Sequence, residues 1–500
     1  MKQHCLSARL VCLFVCLFAG ASFAGTATST DANDVLIKFT NPESAESFSA
    51  QARVGGAKVE SLGDGQGSTQ WIQVKFTAQQ LRKTSLAELA ARRDVLIVQP
   101  NYKLKIYEEY SLRDPAARAR LARLVETRSL FAPPDNPEFP RNRSGGSGSD
   151  PNFGNQWGMN DIGVKNGWNR GRGQGVVVAV IDTGVDYTHE DLMDNMWHNA
   201  GESGLDSSGR DKATNGIDDD GNGFVDDLMG WDFAANDNKP YDLSVDPIQV
   251  LMGGGNPGHG THCAGNVAAS ANNGKGVVGV APEAKIMAIR FLNEKGQGDT
   301  AGAVKSINYA VKMGARILSN SWGSEGESST EGEQNAALRE TIAAAEKAGV
   351  LFVAAAGNGH SGVGYDNDTD AKPAVPASYP HENIVSVAAI ASSNSLGSFS
   401  NWGAQTVDLA APGVVVYSTT VGGTYSDTII DMYGIKATWD GTSMACPHVA
   451  GAAAAYLSKN PGASYQQIKA ALLNSVTPVP AMQGKSVSGG KLNFEKLMNQ

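Results

Sequence analysis

Four short stretches of this 500-residue chain carry side chains able to do covalent chemistry. Asp182 follows the apolar run VVVAVI as Asp182-Thr183-Gly184, and His259 stands in GHGTHCAG. Asn358 follows VLFVAAAG, and Ser443 sits in GTSMACPHVAG. A serine hydroxyl is a weak nucleophile and needs a histidine within hydrogen-bond reach to take its proton. The histidine in turn needs an acid to fix its tautomer and stabilise the imidazolium. An amide side chain such as that of Asn358 can donate to a tetrahedral oxyanion, and losing one such donor typically costs about 3–4 kcal/mol of barrier. Gly441 is expected to turn the chain sharply into a helix, leaving Ser443 at its N-terminus with its own N–H facing a developing anion. Acyl transfer is the chemistry these residue types imply.

Each fragment alone has a plainer reading: a loop carboxylate after a strand, or a Thr-Ser helix cap. The four together, in one chain order and at strand ends, outweigh those readings. A zinc site at His259 and His262 is a separate alternative. No Glu stands beside either histidine as in zinc-hydrolase motifs, and His262 reads better as a helix-face residue. His448, inside the serine helix, reads as structural. Two buried inert thiols are the favoured reading of Cys263 and Cys446, a disulfide between them the lesser one.

The elements that must hold these residues are legible. VVVAVI, KIMAIR, ARILSN, VLFVAAA, NIVSVAAI and VVVYS (414–418) are short continuous apolar runs, suited to strands buried on both faces. Helical patterns such as TAGAVKSINYAVKM, QNAALRETIAAAEKA and YQQIKAALLNSV lie between them. The fold class is therefore α/β, a three-layer α/β/α domain with a mostly parallel sheet, where function gathers at the carboxyl ends of strands. Residues 34–107 read as a smaller unit of order β-α-β-α-β, which fits a ferredoxin-like arrangement. Residues 114–128 read as a basic helix, and the Pro-, Gly- and Ser-rich stretch up to Asp150 as a linker.

The chain carries 41 basic and 51 acidic residues, a formal net charge of −10, which argues against a nucleic-acid binder. The charge is uneven: net +3 over residues 25–149 and net −15 from Asp150 on, so the two parts are expected to attract. Residues 1–24 read as a secretory signal: Lys2 and Arg9, an apolar core, then Ser22-Phe23-Ala24. A membrane anchor is the weaker alternative, and no internal run reaches the ~18 apolar residues of a spanning helix. The expected division is 1–24 signal, 25–107 leader, 108–149 linker or processing region, and 150–500 main domain.

Residues 215–227 read NGIDDDGNGFVDD. Asp218, Asp220, Asn222, Phe224 and Asp226 follow the first part of an EF-hand-type loop, with Phe224 offering its carbonyl. Position twelve is Met229, and Asp227 is the substitute carboxylate. Five carboxylates within ten residues repel one another without a cation, which favours a hard ion such as calcium.

VIDTGVDYTHEDL, GHGTHCAG, AAAGN and GTSMACPHVAGAAA together resemble the subtilisin family of serine endopeptidases, and the GHGTHCAG spelling is similar to the proteinase K and thermitase branches. The resemblance covers about residues 150–500, and its Asp, His, Ser order is the family's. It implies Asp182 as orienting acid, His259 as base then acid, Ser443 as nucleophile and Asn358 as oxyanion donor. It implies a peptide groove in which Ser321, Trp322 and Gly323 pair with an extended substrate, Ala355, Ala356 and Gly357 form the far wall, and Ala374 lies near the pocket base. Trp322 stands where the family commonly has a smaller aliphatic residue. No acid stands at Ala374, so apolar or aromatic side chains are favoured over basic ones. A second calcium site at Asp191 and Asn273, with Asp150 from the N-terminal side, is also implied. The leader resembles the family's inhibitory propeptide, with cleavage expected near residues 107–110 and later trimming before Asp150. The resemblance thus implies a secreted, calcium-stabilised, self-processed serine endopeptidase, monomeric, without organic cofactor and without nucleic-acid or membrane partners. The alternatives are a catalytically silent peptide-binding member of the fold and a serine esterase.

Overall fold

The computed structural model describes residues 33–63, 70–82, 85–107, 150–244, 250–251, 255–325, 335–432 and 435–500. The expected signal, the basic stretch 114–128 and the linker lie outside these residues.

The leader builds strand β1 (Asp34–Phe39), helix α1 (Pro42–Val54), β2 (Lys58–Ser61), β3 (Trp71–Lys75), helices α2 (Ala78–Leu81) and α3 (Leu86–Ala90), then β4 (Val95–Pro100) and β5 (Lys103–Ile106). Asn41 caps α1 by accepting from the Ser44 N–H at 2.8 Å. Strands β2, β3, β1 and β4 lie side by side in that order, all antiparallel, which is the ferredoxin-like arrangement. Val35, Ile37, Phe39, Ile72 and Val74 face Ala45, Phe48 and Ala52 of α1 in one apolar cluster. Strand β2 is an addition to the order read from sequence. Its one buried residue is Val59, too little apolar content to register as a run.

The main domain is built on a nine-stranded sheet. Its chain-order strands are β6 (Val177–Asp182), β7 (Gly230–Asp232), β8 (Lys285–Arg290), β10 (Ile317–Asn320), β12 (Leu351–Ala355), β14 (Ile384–Ile390), β15 (Leu409–Pro412), β20 (Thr477–Pro478) and β21 (Gly490–Lys491). The spatial order is β20-β21-β15-β14-β12-β10-β6-β8-β7, parallel throughout except at the β20–β21 edge. Alternation along β6 divides the core. Val178 and Val180 face one cluster, which holds helices α4 (His259–Ala268), α7 (Thr442–Lys459) and α8 (Tyr465–Asn474). Ala179 and Ile181 face the other, with α5 (Thr300–Lys312) and α6 (Ala336–Lys347). A strand with two apolar faces needs a helix layer on each, which gives three layers.

One expected strand is elsewhere. VVVYS at 414–418 is not a sheet strand; Val415 is 39% exposed with φ +53°. The strand at that place is Leu409–Pro412, fully buried, whose Ala-Ala-Pro carries no β-branched signal. Short strands β16 (Ser418–Thr420), β17 (Thr424–Ser426), β18 (Thr428–Met432) and β19 (Ile435–Thr438) form two separate hairpins after it.

A third sheet joins leader to domain. Its order is β13 (Ala374–Val375), β11 (Trp322–Glu325), β5, β9 (Gln297–Asp299). The last leader strand therefore lies between two strands of the main domain, antiparallel to β11 and β9. No helix among the described residues is long and apolar enough to cross a membrane.

Candidate active site

Asp182 ends β6 and His259 opens α4. Gly258, just before it, has φ +84°, a left-handed conformation that only glycine adopts freely. His259 Nδ1 lies 2.7 Å from Asp182 Oδ1, both residues buried. The same carboxylate oxygen accepts from the Thr183 N–H at 2.6 Å. Burial works against a charged imidazole, but the adjacent Asp182 carboxylate favours it, and the His259 pKa is held well above its ordinary value. His259 Nε2 has no hydrogen-bond partner among the described residues.

Ser443 is the second residue of α7, so its N–H belongs to the helix's first turn and has no intrahelical acceptor. Gly441 has φ 168°, extended backbone that any residue adopts, so the sharp-turn role expected of it does not hold. Its lack of a side chain matters for a different reason: a Cβ there would come 3.1 Å from Asn358 Nδ2. The Asn358 Oδ1 accepts from the Thr442 N–H at 2.9 Å and from its hydroxyl at 2.8 Å. With its oxygen committed, the amide presents its NH₂ end towards Gly441 and the start of α7. Ser443 Oγ donates to Ser321 O at 3.3 Å, and Ser321 Oγ donates to Ser443 O at 2.8 Å. The Cys263 sulfur lies 4.0 Å from His259 Nδ1 and 3.4 Å from Ser443 O, tying the Asp–His pair and the serine into one cluster. A proton acceptor, a hydroxyl and two N–H donors, the group types acyl transfer needs, thus lie within one buried cluster.

The other polar residues nearby are locked. His262 Nε2 lies 2.9 Å from Val416 O, and burial lowers its pKa to about 3. His448 Nδ1 lies 2.8 Å from Met444 O, and burial lowers its pKa to about 4. Both rings are thus neutral and committed to carbonyls. Asp182, His259 and Cys263 are close enough together to suit a metal. Burial raises the Cys263 thiol pKa, however, so the thiolate a metal prefers is disfavoured. Cys263 and Cys446 are both free and buried.

The groove residues of β11 and β13 lie on one side of β5. Trp322 pairs with Ile106 and Gly323 with Lys105. The Trp322 side chain points away from the groove: it is fully buried, edge-on to Phe291 at 4.9 Å and Phe352 at 6.3 Å. Ala355 ends β12, Ala356 and Gly357 follow it, and Ala374 lies in β13. A Cβ at Gly357 would come 2.8 Å from that of Ala374.

Glu202, Asp220 and Asp227 present carboxylate oxygens within 4.8 Å of one another, a possible metal site. Glu202 is fully buried and its Oε2 has no partner among the described residues. Burial pushes its pKa up to about 7 and that of Asp227 up to about 6. Asn222 Nδ2 donates to Asp227 Oδ2 at 3.0 Å. Asp218 accepts from the Asn222 and Gly223 N–H groups, and Asp226 from Gly216 N–H, so these two close the loop itself. The Phe224 ring packs against Trp231 and Tyr309. Glu202 carried no sequence signal, since it stands alone in NAGESG, well before the acidic run. At the other place, Asp191 accepts from Asn273 Nδ2 at 2.6 Å and from Val277 N–H at 2.8 Å, and burial pushes its pKa up to about 6. Asp150 accepts from the neighbouring Asn272 N–H at 2.6 Å.

A sequence model of the subtilase family matches residues 173–493. Thermitase from Thermoactinomyces vulgaris is 33% identical over 349 residues, covering 70% of this chain and 98% of thermitase. Subtilisin Savinase from Lederbergia lenta is 35% identical over 324 residues, covering 64% of this chain and 91% of Savinase. The crystal structure of fervidolysin from Fervidobacterium pennivorans, a keratinolytic enzyme related to subtilisin, aligns with a TM-score of 0.63 at 24% identity. That alignment covers 94% of this chain and 61% of fervidolysin, a likeness of fold. The chain belongs to the subtilase family and is a serine endopeptidase acting on peptide or protein substrates.

Proposed function

We propose that Asp182, His259 and Ser443 form the catalytic triad, with Asn358 Nδ2 and the Ser443 N–H as the oxyanion hole. Rotation of the Ser443 hydroxyl from Ser321 O to the open His259 Nε2 starts the reaction. Oγ attacks the scissile carbonyl carbon and its proton passes to Nε2. The imidazolium formed faces Asp182, then gives that proton to the leaving amine, and water releases the acyl group by the reverse route. Ser321, Trp322 and Gly323 bind the substrate backbone on one side and Gln297–Asp299 on the other.

The observation that carries a peptide substrate, and a zymogen, is β5 itself. An extended segment of this chain already occupies the space between β9 and β11 by strand addition. Its docking is supported by the leader's other contacts. Asn101 Oδ1 accepts from Ala301 N–H at 3.0 Å and Gln99 Oε1 from Ala337 N–H at 3.1 Å, filling orphan donors in the first turns of α5 and α6. Leu36 and Leu62 pack on Ala301, Val304 and Ala337. A leader that caps and covers two helices of the domain suits an intramolecular chaperone and a temporary inhibitor. The leader, linker and domain are divided as 25–107, 108–149 and 150–500, with residues 1–24 a signal that sends the enzyme out of the cytoplasm as a monomer.

Calcium fits Glu202, Asp220 and Asp227: hard oxygen donors, one of them buried with an unpartnered oxygen. Asp191, Asn273 and Asp150 form the second proposed site. When bound, the ion supplies structural charge compensation only. A fluorophosphonate probe tests the central assignment. Its adduct is expected on Ser443 with loss of peptide hydrolysis; hydrolysis persisting after complete labelling would contradict it. Faster turnover of esters than of peptides in matched libraries would favour the esterase reading.

A further inference from the structure

The serine and the histidine stand on different helices, and one side chain outside both reaches across to them. Trp439 lies a few residues before Ser443 in the chain, between β19 and α7. Its segment is pinned to the stretch that follows β15. The Gly441 N–H donates to Gly413 O at 2.8 Å, and the Val416 N–H donates to Trp439 O at 3.0 Å. Asp440 Oδ1 accepts from the Val415 N–H at 2.5 Å. The Trp439 N–H donates to Asp427 O at 2.9 Å, so both of its backbone groups are committed.

The ring meets helix α4. Trp439 is 1% exposed and stacks on His262, with centroids 4.3 Å apart and planes 22° apart. Its centroid lies 6.5 Å from that of His259, with the planes tilted by 49°. His262 stands one turn after His259, where side chains three residues apart are neighbours on a helix surface. The His262 Nε2–H donates to Val416 O at 2.9 Å, and Nδ1 accepts from Asn266 Nδ2 at 3.4 Å, the tautomer that satisfies both. Val416 thus ties both residues, His262 through its carbonyl and Trp439 through its N–H. His259 is held less completely. Its Nδ1 bonds Asp182, with the weak Cys263 contact at 4.0 Å beside it, and one strong bond fixes a distance but not a plane. The Trp439 indole N–H has no hydrogen-bond partner among the described residues. A buried donor left unpaired costs stability, so a residue kept only to fill space would be better apolar throughout.

We propose that Trp439 is a positioning residue for peptide hydrolysis: through its stack on His262 it sets the first turn of α4, and with it His259, at a fixed distance from Ser443. This rests on the reading of His259 as base and Ser443 as nucleophile. The Trp439 backbone leads into the serine helix and its ring lies on the histidine helix, so neither helix shifts without the other. Proton transfer from Ser443 Oγ to His259 Nε2 needs the two atoms within hydrogen-bond reach, and a misplacement of about 1 Å can cost about 10²-fold in rate. The ring is not part of β9 or β11, which flank the groove, so its effect falls on kcat and not on KM.

Matched substitutions in the enzyme matured from the full chain test this. Trp439→Phe keeps an aromatic face on His262, while Trp439→Leu stays apolar and removes it. Turnover is counted per serine labelled at completion by the fluorophosphonate probe, which takes unfolded protein out of the comparison. The kcat of Trp439→Phe is expected within about threefold of wild type and that of Trp439→Leu about thirtyfold lower, with KM within about twofold in both. If Trp439→Leu yields no mature enzyme, Trp439→Met carries the same comparison. A residue acting through His262 also predicts that the losses do not multiply: Trp439→Leu with His262→Leu is expected within about threefold of the worse single variant. Equal kcat in the Phe and Leu variants, a loss that appears in KM, or single losses that multiply in the double variant overturns the proposal while Ser443 still takes the probe. Wild-type enzyme that hydrolyses peptides with Ser443 unlabelled overturns the underlying reading, and this assignment with it.

Discussion

Two of the places where the molecule buries carboxylates treat them differently. Asp182 has a cationic partner supplied by the chain: His259 lies 2.7 Å away, and its pKa is held high. Glu202 and Asp227 lie close together with Asp220, and burial pushes both of their pKa values up. The first cluster is complete as folded, and its compensating charge is one that appears and disappears during a reaction. The second is a set of oxygens whose compensation must come from outside the chain, or from protons. One buried charge is there to be used in turnover, and the other to be neutralised once.

Breaking the first cluster should have the larger effect. Asp182→Asn is expected to lower kcat by about 10⁴-fold with little change in fold, because the imidazole loses its orienting partner. A drop below tenfold in a peptide assay would contradict the pairing. Asn358→Ala is expected to cost about 10²–10³ in kcat with KM little changed, since its amide acts on the transition state. A rise in KM at constant kcat would instead make Asn358 a ground-state contact.

The pH profile sharpens the same comparison. His259 must be neutral to accept the serine proton, and its pKa is raised in the folded enzyme. Activity is therefore expected to be lost as pH falls through a value above the ordinary ~6.5 of imidazole. In Asp182→Asn the carboxylate's share of that rise is lost, and the residual activity should persist to lower pH. An acid limb of kcat/KM that does not move in this variant would separate the two residues electrostatically.

At the second cluster the effect is on stability. An ion at a hundredfold excess over its Kd adds about 2.7 kcal/mol, and at about 1–2 °C per kcal/mol in a domain of about 350 residues, chelation should lower Tm by roughly 3–5 °C. The fall is expected to shrink in Glu202→Gln, which removes a ligand charge while keeping the side-chain volume. An unchanged fall in that variant would dissociate the acidic loop from the cation.

The sequence was most informative where chemistry and strand ends coincide. Asp182 and Asn358 stood out as candidates because each follows a buried apolar run, and His259 and Ser443 because each stands in a glycine-containing frame that opens a helix. The three-layer fold was legible from those runs, since a strand such as VVAVID has no polar face to leave in water. Strand β15 was misplaced because Leu-Ala-Ala-Pro is buried by its neighbours rather than by its own β propensity. Long-range partnership was the part least written locally. Strands β4 and β5 are separated only by Asn101 and Tyr102, yet one completes the leader's sheet and the other joins the main domain's. The direction of the Trp322 side chain, into the core rather than into the groove, depends on Phe291 and Phe352 arriving from other strands. The charge asymmetry pointed to the right pair of surfaces for an incomplete reason. The leader–domain ion pairs run both ways, Lys38 to Glu340 at 2.7 Å and Glu60 to Lys305 at 2.8 Å. Such exposed pairs each contribute little, at most about 1 kcal/mol. Buried Leu36 and Leu62, with the Asn101 and Gln99 caps, account for more of the docking.

The most direct measurement is the intact mass of the chain purified as Ser443→Ala beside wild type, each expressed alone. Wild type is expected as separate leader and domain fragments, and Ser443→Ala as one polypeptide still joined through β5, which added wild-type enzyme then cuts. A Ser443→Ala chain that separates leader from domain without added enzyme would contradict a triad acting on its own leader.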